Sequence, residues 1–338
     1  MFRVSGAVMF DSPFFTSEFF WLHFAIVFFF GTLFGSFINV CIYRLPAGKS
    51  IVWPNSHCFS CGAFIKWYDN IPLVSYLILL GRCRSCGERF SIRYFFIELL
   101  TGILFAWVFY RFRYMFATPV YLAFVGMMIV GTFTDLDHWI IPDSISIGGF
   151  GFGAVVALIG GFFKSGLVVE TTGPFEVTAF YTPFLNSLAG AATGFLLLLA
   201  VGVLGTLAFR KDAMGGGDVK LMAFIGAILG WLNCLLVLVI ASVLGSIIGV
   251  ALILMGTITR STSLPVEEET TSVETNSEEE TPPEEELISE LKKKKTGTKP
   301  GGYHHLPFGP YLAAASVAVL LYHREINVLI ERFFYIGY

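Results

Sequence analysis

Charge is what this chain has least of. Only 14% of its 338 residues are Asp, Glu, Lys or Arg, against 55% hydrophobic, and the mean hydropathy is +0.72. That balance excludes an ordinary soluble domain. Charge is scarcer still outside one segment, because eleven of the 25 acidic residues lie between Glu267 and Glu290, followed by Lys292 to Lys295 and Lys299. The remainder has a mild basic excess, which suits an anionic membrane surface and gives no footprint for a nucleic acid. Several catalytic signatures are missing too. There is no Ser-His-Asp or H-E-x-x-H pattern. The series Gly149, Gly151 and Gly153 imitates a dinucleotide-binding loop but has no soluble strand before it, so close helix packing is expected there. The apolar N-terminus shows no small-residue cleavage site, so the first span is expected to be retained.

Long apolar runs fill the space that charge leaves. They recur at about 19–43, 94–110, 117–134, 145–163, 183–208, 219–232, 234–257 and 307–323. Runs of this kind predict an all-α polytopic membrane protein with about eight transmembrane helices. An outside N-terminus puts 44–93, 135–144, 209–218 and 258–306 in the cytoplasm. With Lys220 these segments hold 16 of the 22 Lys and Arg, as the positive-inside bias requires. Arg111 and Arg113 fit this topology least well. The segment 259–304 is almost without apolar residues, cannot offset its chain entropy by burial, and reads as a disordered tether.

Four of the six cysteines form Cys58-Phe-Ser-Cys61-Gly62 and Cys83-Arg-Ser-Cys86-Gly87, two knuckles separated by 21 residues. Each can supply two thiolates, and the glycine permits the tight turn that aims amides at them. A cytoplasmic setting argues against disulfides. Structural zinc on Cys58, Cys61, Cys83 and Cys86 is the leading reading, with a redox dithiol or an iron–sulfur cluster as alternatives. Cys41 and Cys234 lie in apolar spans and read as packing residues.

Two aspartates end apolar stretches. Asp135 closes Gly131-Thr-Phe-Thr-Asp135, and Asp218 follows Gly215, Gly216 and Gly217. Ionisable groups near hydrocarbon are costly and tend to be kept for a task. Brought together, two carboxylates can share a proton and activate water, as in an aspartic protease. The glycines would let a peptide approach and the helix unwind locally. Of the neighbours, Asp137 would face elsewhere, Asp143 reads as the N-cap of the next span, Asp212 lies in the loop before the glycines, and His138 is an interfacial polar residue. Two competing readings remain. A transporter could use the aspartates as ion relays, although no inverted repeat is seen. A non-catalytic scaffold would tolerate loss of both.

These residues resemble the type IV prepilin peptidases, bifunctional leader peptidase/N-methyltransferases of bacterial inner membranes. The likeness runs through Gly35-Ser-Phe-Ile-Asn39-Val-Cys-Ile-Tyr-Arg44-Leu-Pro46, the two knuckles around Trp67-Tyr-Asp69-Asn70, and Arg93-Tyr-Phe-Phe-Ile-Glu98-Leu-Leu-Thr-Gly102. It continues through both aspartate segments to Leu306-Pro-Phe-Gly-Pro310-Tyr-Leu. The Gly-x-Gly-Asp element is shared with presenilin-like peptidases. The resemblance implies a cytoplasmic-face endopeptidase that cleaves prepilins or pseudopilins after glycine with Asp135 and Asp218. It further implies N-methylation of the new N-terminus from S-adenosylmethionine, and zinc on the four cysteines. Peptidase activity without methylation is the nearest alternative. No donor-binding loop of a known type is present. Trp67, Asp69 and Glu98 are weak candidates to hold the donor, and ordinary folding of a small zinc domain accounts for them equally.

The expected organisation has five parts. A first transmembrane helix (1–44) precedes a cytoplasmic zinc-binding domain built on four cysteines (45–93), a transmembrane aspartyl peptidase core (94–258), the acidic and basic loop (259–304), and a last transmembrane helix with tail (305–338). Membrane lipid is an expected partner beside the substrates. The long loop and the absence of a proline after Cys83 depart from the family's usual pattern.

Overall fold

The computed structural model describes residues 19–163, 179–210, 214–260 and 307–335. Asp212, and the expected loop from position 261 onward, lie outside them. The described residues are helical: α1 Phe20–Arg44, α2 Val74–Ile78, α3 Ile92–Phe112, α4 Thr118–His138, α5 Asp143–Phe163, α6 Thr182–Phe209, α7 Gly216–Leu229, α8 Trp231–Arg260 and α9 Gly309–Tyr335. A short 3-10 turn, Trp67–Asn70, precedes α2. One compact unit runs to Val243 and resumes at Pro307, and α8 from Leu244 onward belongs to a second.

Each of the eight expected apolar stretches is a helix, and among the described residues six are long and apolar enough to cross a membrane: α1, α3, α4, α5, α6 and α8. This is the architecture of a multi-pass helical membrane protein. Helices α7 and α9 fall outside that group: in α9, Gly309–Tyr335, the apolar stretch found among the described residues is Gly309–Tyr322. Helix α7 has 14 residues, about 21 Å of helix against a hydrocarbon core of about 30 Å. It ends because Gly230 turns at φ +84, one residue before α8 begins. Leu221, Met222, Phe224, Ile225, Ile228 and Leu229 on α7 are almost wholly buried, and α5, α6 and α9 pack around it. A helix covered by protein has no need to match the bilayer in length.

Small residues permit close approach. A side chain at Gly35 would lie 2.6 Å from the Cα of Glu98, and one at Gly31 would lie 2.9 Å from the Cα of Gly102, so α1 and α3 touch backbone to backbone. Helices α6 and α7 meet likewise at Gly190 and Gly226. In the α5 series, Gly149 and Gly153 accommodate Phe224 and Ala227 of α7, whereas Gly151 faces open space. Cys41 and Cys234 are buried, as packing residues should be. Arg111 donates to the Leu321 carbonyl and to both Glu325 oxygens, tying the end of α3 to α9. That pairing accommodates the arginine that fitted the topology least well.

Gly226→Ala is therefore expected to destabilise the bundle by about 1–3 kcal/mol. Its Cβ would collide with the Gly190 carbonyl and sit 2.9 Å from Cys234 Sγ. Gly151→Ala should leave the thermal midpoint in detergent unchanged or slightly raised, since Ala favours a helix by up to about 1 kcal/mol over Gly. Equal midpoints for the two variants would contradict this packing.

Candidate active site and metal centre

Helix α4 stops just after Asp135. Trp139 adopts φ +57 and returns its N–H to the Asp135 carbonyl at 2.9 Å, and Pro142 follows. Such a left-handed cap leaves the last turn of α4 intact and turns the chain away. On the other side Gly215 is extended (φ −72, ψ 138) and α7 starts at Gly216, placing Asp218 in its first turn. The glycine run thus straddles the start of α7, with Gly215 extended before it and Gly216 and Gly217 in its first turn. Gly216 has open space before it, while Gly217 lets Ile141 come close (3.3 Å from a would-be Cβ). Phe124 of α4 and Phe224 of α7 pack edge to face at 5.3 Å and join the two helices.

This arrangement brings the two aspartates together. Asp135 is 6% exposed and Asp218 is 8% exposed. They are close enough for the charge of Asp135 to act on Asp218. The start of α9 supplies a third wall. A side chain at Gly309 would lie 2.5 Å from Asp135 Oδ2 and 3.1 Å from Ile141. Asp135 Oδ2 is buried without a hydrogen-bond partner among the described residues. An orphaned acceptor there suits a ligand that donates a proton or hydrogen bond, such as water. Gly309 and Ile141 are site residues that sequence reasoning did not single out. The signal available for Gly309 was a Gly-Pro pair opening a helix, since only a residue without a Cβ fits against the carboxylate.

Nearby charges are occupied elsewhere. Asp137 points away and takes both arms of Arg93 at 2.6 and 2.7 Å. Asp143 is the first residue of α5, where its carboxylate accepts a hydrogen bond from Lys220 Nζ at 2.7 Å. His138 is exposed at the end of α4.

The two cysteine knuckles fold alike. Cys58 N–H binds the Ala63 carbonyl and Gly62 N–H the Cys58 carbonyl, both at 2.9 Å; Cys83 with Glu88 (2.8 Å) and Gly87 with Cys83 (2.9 Å) repeat the pattern. Gly62 at φ +69 and Gly87 at φ +74 make both turns, so the missing proline after Cys83 has no effect on them. The sulfurs of Cys58, Cys61, Cys83 and Cys86 lie within 4.8 Å of one another, and Cys58 and Cys86 are 3.8 Å apart. A tetrahedral ion with metal–sulfur bonds of about 2.3 Å needs sulfur–sulfur edges of about 3.8 Å. The cluster can therefore hold a metal ion. Backbone N–H groups of Cys61 and Ser60 pull the Cys58 thiol down, whereas at Cys86 the Glu88 backbone, which lowers the thiol, is outweighed by burial and the three neighbouring thiols, which push it up, so the four sulfurs titrate as one coupled cluster.

The residues suspected of holding a methyl donor divide. Asp69 and Glu98 both line a cavity of about 620 Å³, whereas Trp67, 81% exposed, does not. Arg84 grips Asp69 through three hydrogen bonds of 2.6 to 3.1 Å and holds its carboxyl below the usual carboxylate range.

Comparison with known proteins covers both parts of the chain. Residues 29–112 match the bacterial peptidase A24 N-terminal domain, and residues 122–250 match the type IV leader peptidase family. A prepilin leader peptidase/N-methyltransferase of Myxococcus xanthus is 39% identical over 66% of this chain and 61% of its own length. Proteins of that description from Aeromonas salmonicida and Neisseria gonorrhoeae are 32% and 34% identical, over 72% and 67% of this chain and 86% and 79% of theirs. No solved structure gives a significant match. With both family segments in order and most of the Aeromonas protein aligned, the chain belongs to the type IV leader peptidase family.

Proposed function

We propose that this protein is a membrane aspartyl endopeptidase that removes the leader of a type IV prepilin or pseudopilin. Cleavage follows a glycine, at the cytoplasmic face of the bacterial inner membrane. The observation that carries this reading is the buried pair Asp135 and Asp218, contributed by two helices and given no ion-pair partner among the described residues. The names of the relatives support the substrate class.

Two carboxylates this near cannot both ionise cheaply, so the pair works with one proton between them. The ionised member takes a proton from water as the water attacks the glycine carbonyl. The protonated member gives its proton to the developing oxyanion, the C–N bond breaks, and the amine leaves with a proton. No covalent acyl-enzyme forms.

The second activity is N-methylation of the new amine from S-adenosylmethionine. The donor supplies a methyl group activated by a sulfonium. Transfer makes an N–C bond, breaks an S–C bond, leaves that electron pair on sulfur and releases a proton from the amine. The chain's part is to hold the amine neutral and in line. Zinc on Cys58, Cys61, Cys83 and Cys86 is structural, because four thiolates leave no open coordination position. The five-part organisation from 1–44 to 305–338 is kept as part of this reading.

Mass spectrometry of a prepilin-like substrate incubated with detergent-purified protein, with and without S-adenosylmethionine, tests both activities. Leader loss after glycine and one added methyl on the new N-terminus are expected. Asp135→Asn and Asp218→Asn should each slow cleavage at least about 10²-fold; near-normal cleavage by either would sink the dyad. Gly309→Ala should lower kcat by about 10²-fold with a smaller change in KM, by displacing Asp135. Unaltered kcat would show that Gly309 does not position the carboxylate. Elemental analysis should find one zinc per chain, reduced in Cys61→Ser, and a metal-free wild-type protein would remove the zinc assignment.

A further inference from the structure

Among the described residues, Asp135 Oδ2 is the one buried side-chain oxygen or nitrogen without a hydrogen-bond partner, so whatever covers it decides what can reach it. Part of the cover is a single apolar side chain. The position a Cβ would take on Gly309 lies 2.5 Å from Oδ2, and the same position lies 3.1 Å from Ile141 Cδ1. Ile141 therefore stands beside the carboxylate with only a glycine between them. On its other side, the Cβ position of Gly217, the residue before Asp218, is 3.3 Å from Ile141 Cβ. One isoleucine is thus wedged between the glycine that abuts Asp135 and the glycine that precedes Asp218.

The chain fixes it there. Ile140 is 56% exposed and Ile141 is 7% exposed, so the segment after α4 turns successive side chains outward and inward, as extended chain does. Pro142 holds the residue before it in an extended conformation. The segment is anchored at both ends. Trp139 donates its N–H to the Asp135 carbonyl, and the Pro142 carbonyl accepts the N–H groups of Ile145 and Ser146. The Lys220–Asp143 pair then ties the start of α5 to α7. A β-branched side chain on an anchored backbone has few rotamers to escape into.

Hydrolysis requires the attacked carbonyl to lie within reach of the aspartates and their water. The residue that carries this carbonyl brings its own Cα into the space that Ile141 borders. The protein's own chain meets Ile141 with glycine in two places, and at both a Cβ would be closer than ordinary van der Waals contact. A substrate backbone arriving at the same carboxylates meets the same wall.

We infer that Ile141 sets the requirement for glycine before the cleaved bond, by occupying the space into which any other side chain would project. The inference rests on the peptidase reading above and assigns its selectivity to one residue.

The test uses two prepilin-like substrates that differ only in glycine or alanine before the cleaved bond. Each is given to wild type, Ile141→Val, Ile141→Ala and Gly226→Ala, the last a packing change about two turns beyond Asp218 on α7. The readout is the ratio of kcat/KM for the two substrates, which a uniform loss of active protein leaves unchanged. Wild type should prefer glycine by about tenfold or more, the discrimination that one extra carbon gives in an apolar pocket. Ile141→Val removes Cδ1 and should narrow the preference, Ile141→Ala should reduce it to about threefold or less, and Gly226→Ala should keep it. An unchanged ratio in both Ile141 variants overturns the inference. So does equal narrowing in Gly226→Ala, which would make looseness of the bundle the cause. If Ile141→Ala fails to fold, as its thermal midpoint would report, the valine variant carries the comparison. Loss of glycine cleavage in folded Ile141 variants also overturns it, since Ile141 would then serve to hold the aspartates. In all these cases wild type still cleaves after glycine and the peptidase reading stands. A wild type that cleaves both substrates equally removes the glycine requirement along with this inference, and one that cleaves neither defeats the peptidase reading itself.

Discussion

Burying acids in an apolar bundle without giving them a cation is the constraint on which this structure turns. The fold buries three acidic side chains among the described residues, Glu98, Asp135 and Asp218, and none of them is in an ion pair there. Cations close to them in sequence are committed to other acids. Arg93 goes to Asp137 and Lys220 to Asp143, so that one partner of each pair stands within two residues of a buried aspartate. Arg84 goes to Asp69 on the cavity wall. Exposed pairs such as these contribute little to stability. Their effect here is to hold positive charge in other pairs and leave the three buried carboxylates without an ion-pair partner among the described residues.

Rigid packing makes that arrangement tolerable. Helix α7 is buried almost all round, so the first turn that carries Asp218 is anchored by Leu221, Met222, Phe224 and Ile225. Glycines at the α1–α3 and α6–α7 contacts bring backbones together without a hydrophobic driving force, as small residues do inside membranes. Gly309 applies the same device to a polar group, allowing the start of α9 to close over Asp135. The aspartate pair proposed for cleavage stands on α4 and α7, and neither member lines the cavity bordered by α1, α3 and the insert.

Much of this was legible from residue order. Apolar runs located eight helices to within a few residues at most of their ends, because the length of a hydrophobic run and the helix that buries it are nearly one quantity. Paired C-x-x-C-G knuckles announced a four-sulfur cluster, because local turns alone set each pair of sulfurs. Other features were misread for want of packing information. The run 219–232 looked like a span, yet Gly230 ends α7 early, and a protein-covered helix obeys no bilayer length. Asp143, at the start of α5, is paired with Lys220, 77 positions away, which no local spacing announces.

By itself the sequence determined a helical membrane chain, a cysteine cluster, and which acids stand at the ends of apolar stretches. All of these follow from local composition and short spacings, which act through burial free energy and backbone geometry over a few turns. Tertiary structure alone decided which acids lose their cations, that Gly309 and Ile141 wall in Asp135, and that Glu98 faces a cavity beside Asp69. Those outcomes depend on contacts between residues far apart in the chain. Side-chain packing and charge pairing choose among partners that the order of residues leaves equally available.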